Sequence, residues 1–357
     1  MVFGGTTAVN ALDLSVEKGE LCVLIGPSGC GKSTTLKMIN RMIIPTEGKI
    51  FIDGHDNMAG KPEFLRRSIG YVIQSIGLFP HMTVRDNIAV VPRLMKWDRE
   101  RVKKRVTELM ELIDLDPVVY GNKYPHELSG GEAQRIGVAR ALAADPPILL
   151  MDEPFGAVDP LGRLLLQDEF LAIQRKLKKT VVFVTHDLDE AIRLADRIAI
   201  MKDGRIVQYD IPETILTSPA NSFVRDFVGA DRSLKKLSRY DAAQVMREAR
   251  SVDIGADKVF EHLRKLSEQG AAFVWATDAR LQLKGWIDIK HPLFAADPLS
   301  GYSKIEVFNI AVQREDSLKL VLSKMLGQGI KNVPVVDKKG ILQGEISLRD
   351  IEQVSES

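Results

Sequence analysis

Residues 26–34 read GPSGCGKST and follow directly on the apolar run 21–25, LCVLI. Five such residues ending at a glycine-rich turn suit a strand of a parallel sheet, buried on both faces. Lys32-Ser33-Thr34-Thr35-Leu36 then opens a helical pattern, with Leu36, Ile39 and Ile43 on one side. The unit is therefore strand, turn, helix. Gly26, Gly29 and Gly31 let the backbone turn tightly and bring successive N–H groups inward, so that the loop and the helix N-terminus can cradle a polyphosphate. Pro27, Ser28, Cys30 and Thr34 complete that loop, Lys32 can reach the β- and γ-phosphates, and the Ser33 hydroxyl can ligate magnesium.

The whole chain has 357 residues, 45% of them apolar, enough for two or three domains with substantial cores. Its formal net charge of +1 gives no reason to expect nucleic-acid binding, which depends on clustered excess Lys and Arg. Cys22 and Cys30 are the only cysteines, and their spacing indicates neither a disulfide framework nor a zinc site. No apolar run approaches the roughly 18–20 residues needed to span a bilayer, and the N-terminus lacks the layout of a signal peptide. A reducing cytosol and a peripheral membrane role fit these features.

From residue 21 to about 208, short β-rich runs at 21–25, 69–73, 148–151, 181–185 and 198–201 alternate with longer helical ones. That alternation predicts an α/β fold with a mainly parallel sheet flanked by helices. Residues 98–113 place Val102, Val106, Leu109 and Ile113 three and four apart, a helix with one buried face in a subdomain beside the sheet. The third run ends in ILLMDEP. Asp152, emerging from a buried strand, is placed to hold magnesium through water opposite Ser33, and Glu153 can act as general base on the attacking water. Gln74, closing the second run, can contact both metal and water. His186, closing VVFVTH, can hydrogen-bond the γ-phosphate or the attacking water. Phe3, on a short leader, offers a ring to stack on a purine. Ser129-Gly130-Gly131-Glu132 precede a helical run and offer a second set of N–H donors for phosphate. One chain needs only one such set, so the arrangement makes sense if two chains sandwich ATP.

GPSGCGKST, Gln74, LSGGE, ILLMDEP, GAVD and His186 occur in the order found in ATPase subunits of ABC transporters, and the chain resembles that family over residues 1 to about 225. The resemblance implies a head-to-tail homodimer binding ATP and Mg²⁺, with Asp159 linking the two sites, Phe3 as the adenine-stacking aromatic, and the helical subdomain, about 86–145, gripping membrane-spanning permease subunits. It places the protein peripherally on the cytoplasmic face of the plasma membrane. Few residues precede Phe3, where the family has a strand, and Glu132 stands where the family more commonly has Gln. The strings at 35–50, 72–88 and 141–160 resemble importers of quaternary-amine osmoprotectants such as glycine betaine, choline and carnitine, whose solute is delivered by a separate extracytoplasmic binding protein. An ATPase for a different small solute, such as an amino acid, or a non-transport ABC ATPase, is the alternative.

Residues 231–245, with a basic stretch at 232–239, read as a connector. Beyond them Asp257, Gln269, Gly270, Asp278 and Gly285 recur as Asp316, Gln328, Gly329, Asp337 and Gly344, a constant offset of 59. Each copy reads helix, strand, turn, strand. The pair, about 246–300 and 301–357, resembles tandem cystathionine-β-synthase-type (CBS) repeats, an α+β domain. The second copy has Ser347-Leu348-Arg349-Asp350 where that family contacts ribose and phosphate; the first has Asp288 and His291. The resemblance leaves open a nucleotide ligand at the repeats or a purely structural pairing.

Overall fold

A run like LCVLI is stable as a strand only where both of its faces are covered, and Leu21–Ile25 is buried at every position. The computed structural model describes residues 1–74, 77–156, 158–229, 232–292, 294, 297, 299–304 and 307–356, divided between two units, Met1–Ala230 and Asp231–Ser357. Ser75, Ile76 and Ala157 of the motif strings, and residues 230 and 231 at the expected boundary, lie outside the described residues.

In the first unit, β1 (Val2–Phe3) and β2 (Thr6–Thr7) form a small hairpin before β3 (Leu21–Ile25) and α1 (Lys32–Ile39). A second hairpin, β4 (Phe51–Ile52) and β5 (His55–Asp56), and α2 (Pro62–Ser68) lead into β6 (Ile69–Val72). Among the described residues four α-helices follow: α3 (Val84–Leu94), α4 (Arg99–Leu112), α5 (Pro117–Tyr120) and α6 (Gly130–Leu142). The chain then alternates through β7 (Ile148–Asp152), α7 (Pro160–Leu177), β8 (Thr180–Val184), α8 (Leu188–Leu194) and β9 (Arg197–Lys202). It closes with β10 (Arg205–Asp210), α9 (Pro212–Thr217) and α10 (Ser222–Val228). The sheet order is β10-β9-β3-β8-β7-β6, parallel except for β10, so the strand feeding the glycine-rich loop lies inside the sheet.

Side-chain alternation along β3 assigns its two faces. Leu21, Val23 and Ile25 join the core beneath α3, α4 and α6, whereas Cys22 and Leu24 join Leu36 of α1 on the other side. The helix expected over 98–113 is α4, burying Val102, Val106, Leu109 and Met110. Ile43 falls outside α1, which ends at Ile39. Arg41 turns the chain at φ +50°, and the Asn57 amide donates to the carbonyls of Met38 and Ile39 at 3.0 and 3.2 Å, satisfying groups that a longer helix would have paired internally. No described helix is long and apolar enough to cross a membrane.

The second unit begins with α11 (Arg232–Lys236) and α12 (Ala242–Val245). Its first repeat comprises β11 (Ser251–Asp253), α13 (Val259–Glu268), β12 (Phe273–Thr277) and β13 (Leu283–Asp288), with β14 (Tyr302–Lys304) added at the edge. After α14 (Val307–Ile310), the second comprises α15 (Leu318–Gln328), β15 (Asn332–Val336), β16 (Leu342–Ser347) and α16 (Leu348–Glu356). Helix and strand starts repeat at the offset of 59, and so does the turn chemistry. Asp278 Oδ1 accepts from the backbone of Arg280 and Gln282, and Asp337 Oδ1 from Lys339 and Ile341, at 2.8–3.0 Å. Bridges from Val312 to Val335 and from Arg247 to Glu345 extend the β15–β16 pair as β11 and β14 extend β12–β13. Residues 232–245 are built into this unit: Leu237 and Ala242 are buried in one core with Val321, Val333, Ile346 and Ile351 of the second repeat.

Candidate functional site

Backbone geometry makes the glycines of the loop obligatory. Gly26 has φ +153°, and a Cβ there would lie 2.1 Å from the Met201 carbonyl oxygen. Gly31, at φ +103°, has the Ala8 carbonyl oxygen 2.4 Å from where a Cβ would stand. The loop is thus clamped between β9 and the segment after the first hairpin. Pro27, Ser28 and Gly29 at its tip are exposed, Cys30 and Gly31 are buried, and Ser33 and Thr34 are half-buried in the first turn of α1. The buried Lys32 ammonium donates to the carbonyls of Gly26 at 2.7 Å and Pro27 at 3.0 Å, which holds a positive charge against the loop backbone.

Parallel strands ending on the same edge bring the other predicted residues to this loop. Ser33 Oγ donates to Asp152 Oδ1 at 2.9 Å, joining α1 to the end of β7. Burial pushes the Asp152 carboxyl above its usual range and the neighbouring Glu153 adds to the effect, opposed by the Ser33 hydroxyl and by Lys37 and Lys32. β7 stops at Asp152. Glu153 leaves the strand at φ +45°, its N–H donating to the Val184 carbonyl at 2.9 Å, so a left-handed turn separates the two carboxylates. Glu153 Oε2 accepts from Gln74 Nε2 at 3.1 Å and lies 3.1 Å from His186 Nδ1, a contact that puts the imidazole proton on Nδ1. Gln74, Glu153 and His186 therefore meet on one oxygen.

The remaining predicted residues stand apart from this cluster. Ser129 is the N-cap of α6, and with Glu132 it forms a reciprocal capping box: Ser129 N–H donates to Glu132 Oε2 at 2.7 Å and Glu132 N–H to Ser129 Oγ at 3.3 Å. That bond from Ser129 is the main reason the Glu132 carboxyl sits below its ordinary range, with Tyr120 adding to it. An N3 carboxylate thus replaces an N3 amide without loss of the cap. Ser129 and Gly130 are exposed, and Gly131 and Glu132 half-buried, at the start of the helix. Asp159 caps α7 by accepting from Gly162 N–H at 3.0 Å and is exposed. Phe3 is 46% exposed on the β1–β2 hairpin.

Sequence reasoning missed a group behind the cluster. Gln167 Nε2 donates to the buried Glu190 at 3.0 Å, Asp187 caps α8, and Arg163 reaches Asp187 Oδ2 at 3.5 Å. The one local sign was a cation in the first turn of α7, where the helix dipole disfavours it. A further link, Arg140 to the Gly77 carbonyl at 2.7 Å, joins α6 to the segment following Gln74.

The family profile for ABC transporters matches residues 9–156, and that for the CBS domain matches residues 307–356, the second repeat. The chain is 48% identical over 348 residues to the glycine betaine/carnitine/choline transport ATP-binding protein OpuCA of Bacillus subtilis, covering 96% of this chain and 91% of that protein. It is 47% identical to the osmoprotectant import ATP-binding protein OsmV of Salmonella typhimurium, covering 95% and 89%. Among solved structures, a dimeric post-hydrolysis state of the ATP-binding cassette MJ0796 bound to ADP and Pi aligns with TM-score 0.52 at 34% identity, covering 58% of this chain and 91% of that one. The loop geometry, the residues gathered on Glu153 and these likenesses agree: the chain belongs to the family of ABC transporter ATP-binding proteins.

Proposed function

We propose that this protein is the ATP-hydrolysing subunit of an importer for a quaternary-amine osmoprotectant such as glycine betaine, carnitine or choline. The observation that carries the catalytic part is the convergence of Gln74 and His186 on Glu153 Oε2, one edge away from the Gly26–Ser33 loop. The likeness to osmoprotectant transport ATP-binding proteins over nearly the whole chain supports the solute class.

In this reading the loop N–H groups and Lys32 bind the phosphates of ATP, and Phe3 stacks on the adenine. Ser33 Oγ, Asp152 and Gln74 form an all-oxygen donor set suited to Mg²⁺, and the desolvated Asp152 carboxylate lacks a full counter-charge, so these residues fit the ion. When bound, Mg²⁺ would neutralise charge on the β- and γ-phosphates. Glu153 accepts the proton of the attacking water, Gln74 orients that water, and His186 hydrogen-bonds the same water. Ser129, Gly130, Gly131 and Glu132 of one chain close over ATP held by the other, with Asp159 joining the two sites in a head-to-tail dimer. Membrane-spanning permease subunits contact the helices between 84 and 142 on the cytoplasmic face, and a solute-binding protein acts outside.

The test combines two measurements. Purified protein should hydrolyse ATP, and Glu153→Gln should lose on the order of 10²- to 10⁴-fold in turnover, the usual cost of removing a general base. In a strain lacking its betaine uptake systems, wild type but not Glu153→Gln should restore growth in high salt with glycine betaine. Unimpaired turnover in the variant refutes the catalytic assignment; an active ATPase that fails to rescue on any quaternary amine refutes the solute class.

A further inference from the structure

We propose that Arg163 is a positioning residue for hydrolysis, its guanidinium fixing the loop that carries Asp159 against the turn that carries His186. The inference rests on the catalytic reading above and adds a residue that no motif supplies. Arg163 lies in the first turn of α7, directly after the Asp159 cap. One amino group donates to the Val158 carbonyl at 3.3 Å, and the other lies 3.5 Å from Asp187 Oδ2. Asp187 is neighbour to His186 in the chain, and its second oxygen, Oδ1, caps α8 by accepting from Asp189 and Glu190 N–H at 2.9 and 3.2 Å. Arg163 therefore touches, with one planar group, the backbone beside Asp159 and the side chain beside His186. A small cleft lined by Glu153, Gly156, Arg163, His186 and Glu190 sets this group beside the general base.

Three features argue against an incidental surface contact. The Arg163 and Asp187 side chains are only 26% and 35% exposed, so the pair is poorly screened. A cation at the start of α7 opposes the helix dipole, a cost that its pairing with Asp187 offsets. Its Nε is buried and, among the described residues, has no hydrogen-bond partner, an unsatisfied donor of the kind that collects at functional sites. Behind it Glu190, raised by burial, draws on the same positive charge. A shift of Asp159 on engagement of a second chain would thus be felt at His186 through a rigid fork rather than a flexible loop.

The test uses the full-length protein and measures kcat, KM for ATP and thermal midpoint. Arg163→Ala should lower kcat on the order of ten- to a hundredfold, the scale of one charge-assisted hydrogen bond, with KM within about twofold. Arg163→Lys keeps the charge but loses the fork and should recover part of the rate. Asp187→Asn keeps an N-cap acceptor, so it folds, and should also slow turnover. The double variant Arg163→Ala/Asp187→Asn should be no slower than the slower single, because both remove one contact. Wild-type kcat in Arg163→Ala, a rise in KM alone, or losses that multiply in the double variant would overturn the proposal. If Arg163→Ala does not fold, wild-type kcat in both Arg163→Lys and Asp187→Asn does so instead. The two readings fail separately. Without wild-type ATPase activity the site assignment falls, whereas an active wild type, an inactive Glu153→Gln and a fully active Arg163→Ala remove Arg163 alone.

Discussion

Asp152→Asn should make the protein more stable and catalytically inert. In the folded chain the Asp152 carboxylate is 7% exposed, and burial raises its pKa, which means that folding disfavours the charge. A raised carboxyl pKa gives the native state more bound protons than the unfolded chain between the two pKa values, so stability falls as pH rises through that window. Above that window the penalty is fully present. Asn removes the charge while its Oδ1 still accepts from Ser33 Oγ. Relieving a strained functional charge typically returns about 0.5–2 kcal/mol, and partial solvent screening argues for the lower half of that range, about 1 kcal/mol. In a unit of this size that is roughly 2–4 °C in thermal midpoint. The assay is thermal unfolding of nucleotide-free protein across pH, with Mg²⁺-dependent ATP turnover measured in parallel. The midpoint gain should be present at pH 7 and shrink as pH falls through the raised pKa, where wild-type Asp152 is itself neutral. A variant that melts at or below wild type, or a gain that grows on acidification, refutes the desolvation argument; retained turnover refutes the metal-holding assignment.

Other outcomes follow from single contacts. Glu132→Gln keeps both halves of the capping box and should leave turnover within about twofold, while Glu132→Ala should cost about 1 kcal/mol in a denaturant titration. Leu109→Ala, at a fully buried position of α4, should lose about 2–5 kcal/mol of unfolding free energy by calorimetry or denaturant melting. In the second unit Trp275 Nε1 donates to the buried Glu345 Oε2 at 2.8 Å, so Glu345→Ala strands the indole N–H and should destabilise that unit by about 1–3 kcal/mol, followed by tryptophan fluorescence during unfolding.

What the sequence made legible is what is local. A five-residue apolar run, a glycine turn and a helix start lie within fifteen residues, and their spacing alone indicated the strand, tight loop and helix around Gly26 to Ser33. Asp152, Glu153 and His186 were readable because parallel strands all end on one edge, so residues just beyond apolar runs must meet. The 59-residue offset likewise carries into the structure, where α15, β15 and β16 each start 59 residues after α13, β12 and β13. Long-range features were not readable. The end of α1 is set by Asn57, well downstream, and the conformation of Glu153 depends on a carbonyl from β8. β10, pairing antiparallel at the sheet edge, has intermediate burial and no strong period. Arg163 carries no motif because its role depends on residues from two separate turns.

The burial of Leu237 and Ala242 among residues of the second repeat bears on how the second unit can be cut. The chain enters this unit by first laying down part of the far repeat's interior, then builds the near repeat, and only afterwards returns to finish the far one. The unit is therefore a closed circuit whose beginning and end share a core, with α11 packed beside α16. A fragment of residues 307–356, although it matches a recognised domain, would leave Val321, Val333 and Ile346 without the wall that Leu237 and Ala242 supply. A protease that severs residues 237–242 should loosen the last fifty residues before the intervening sixty or so, so damage at the entrance is felt first at the exit.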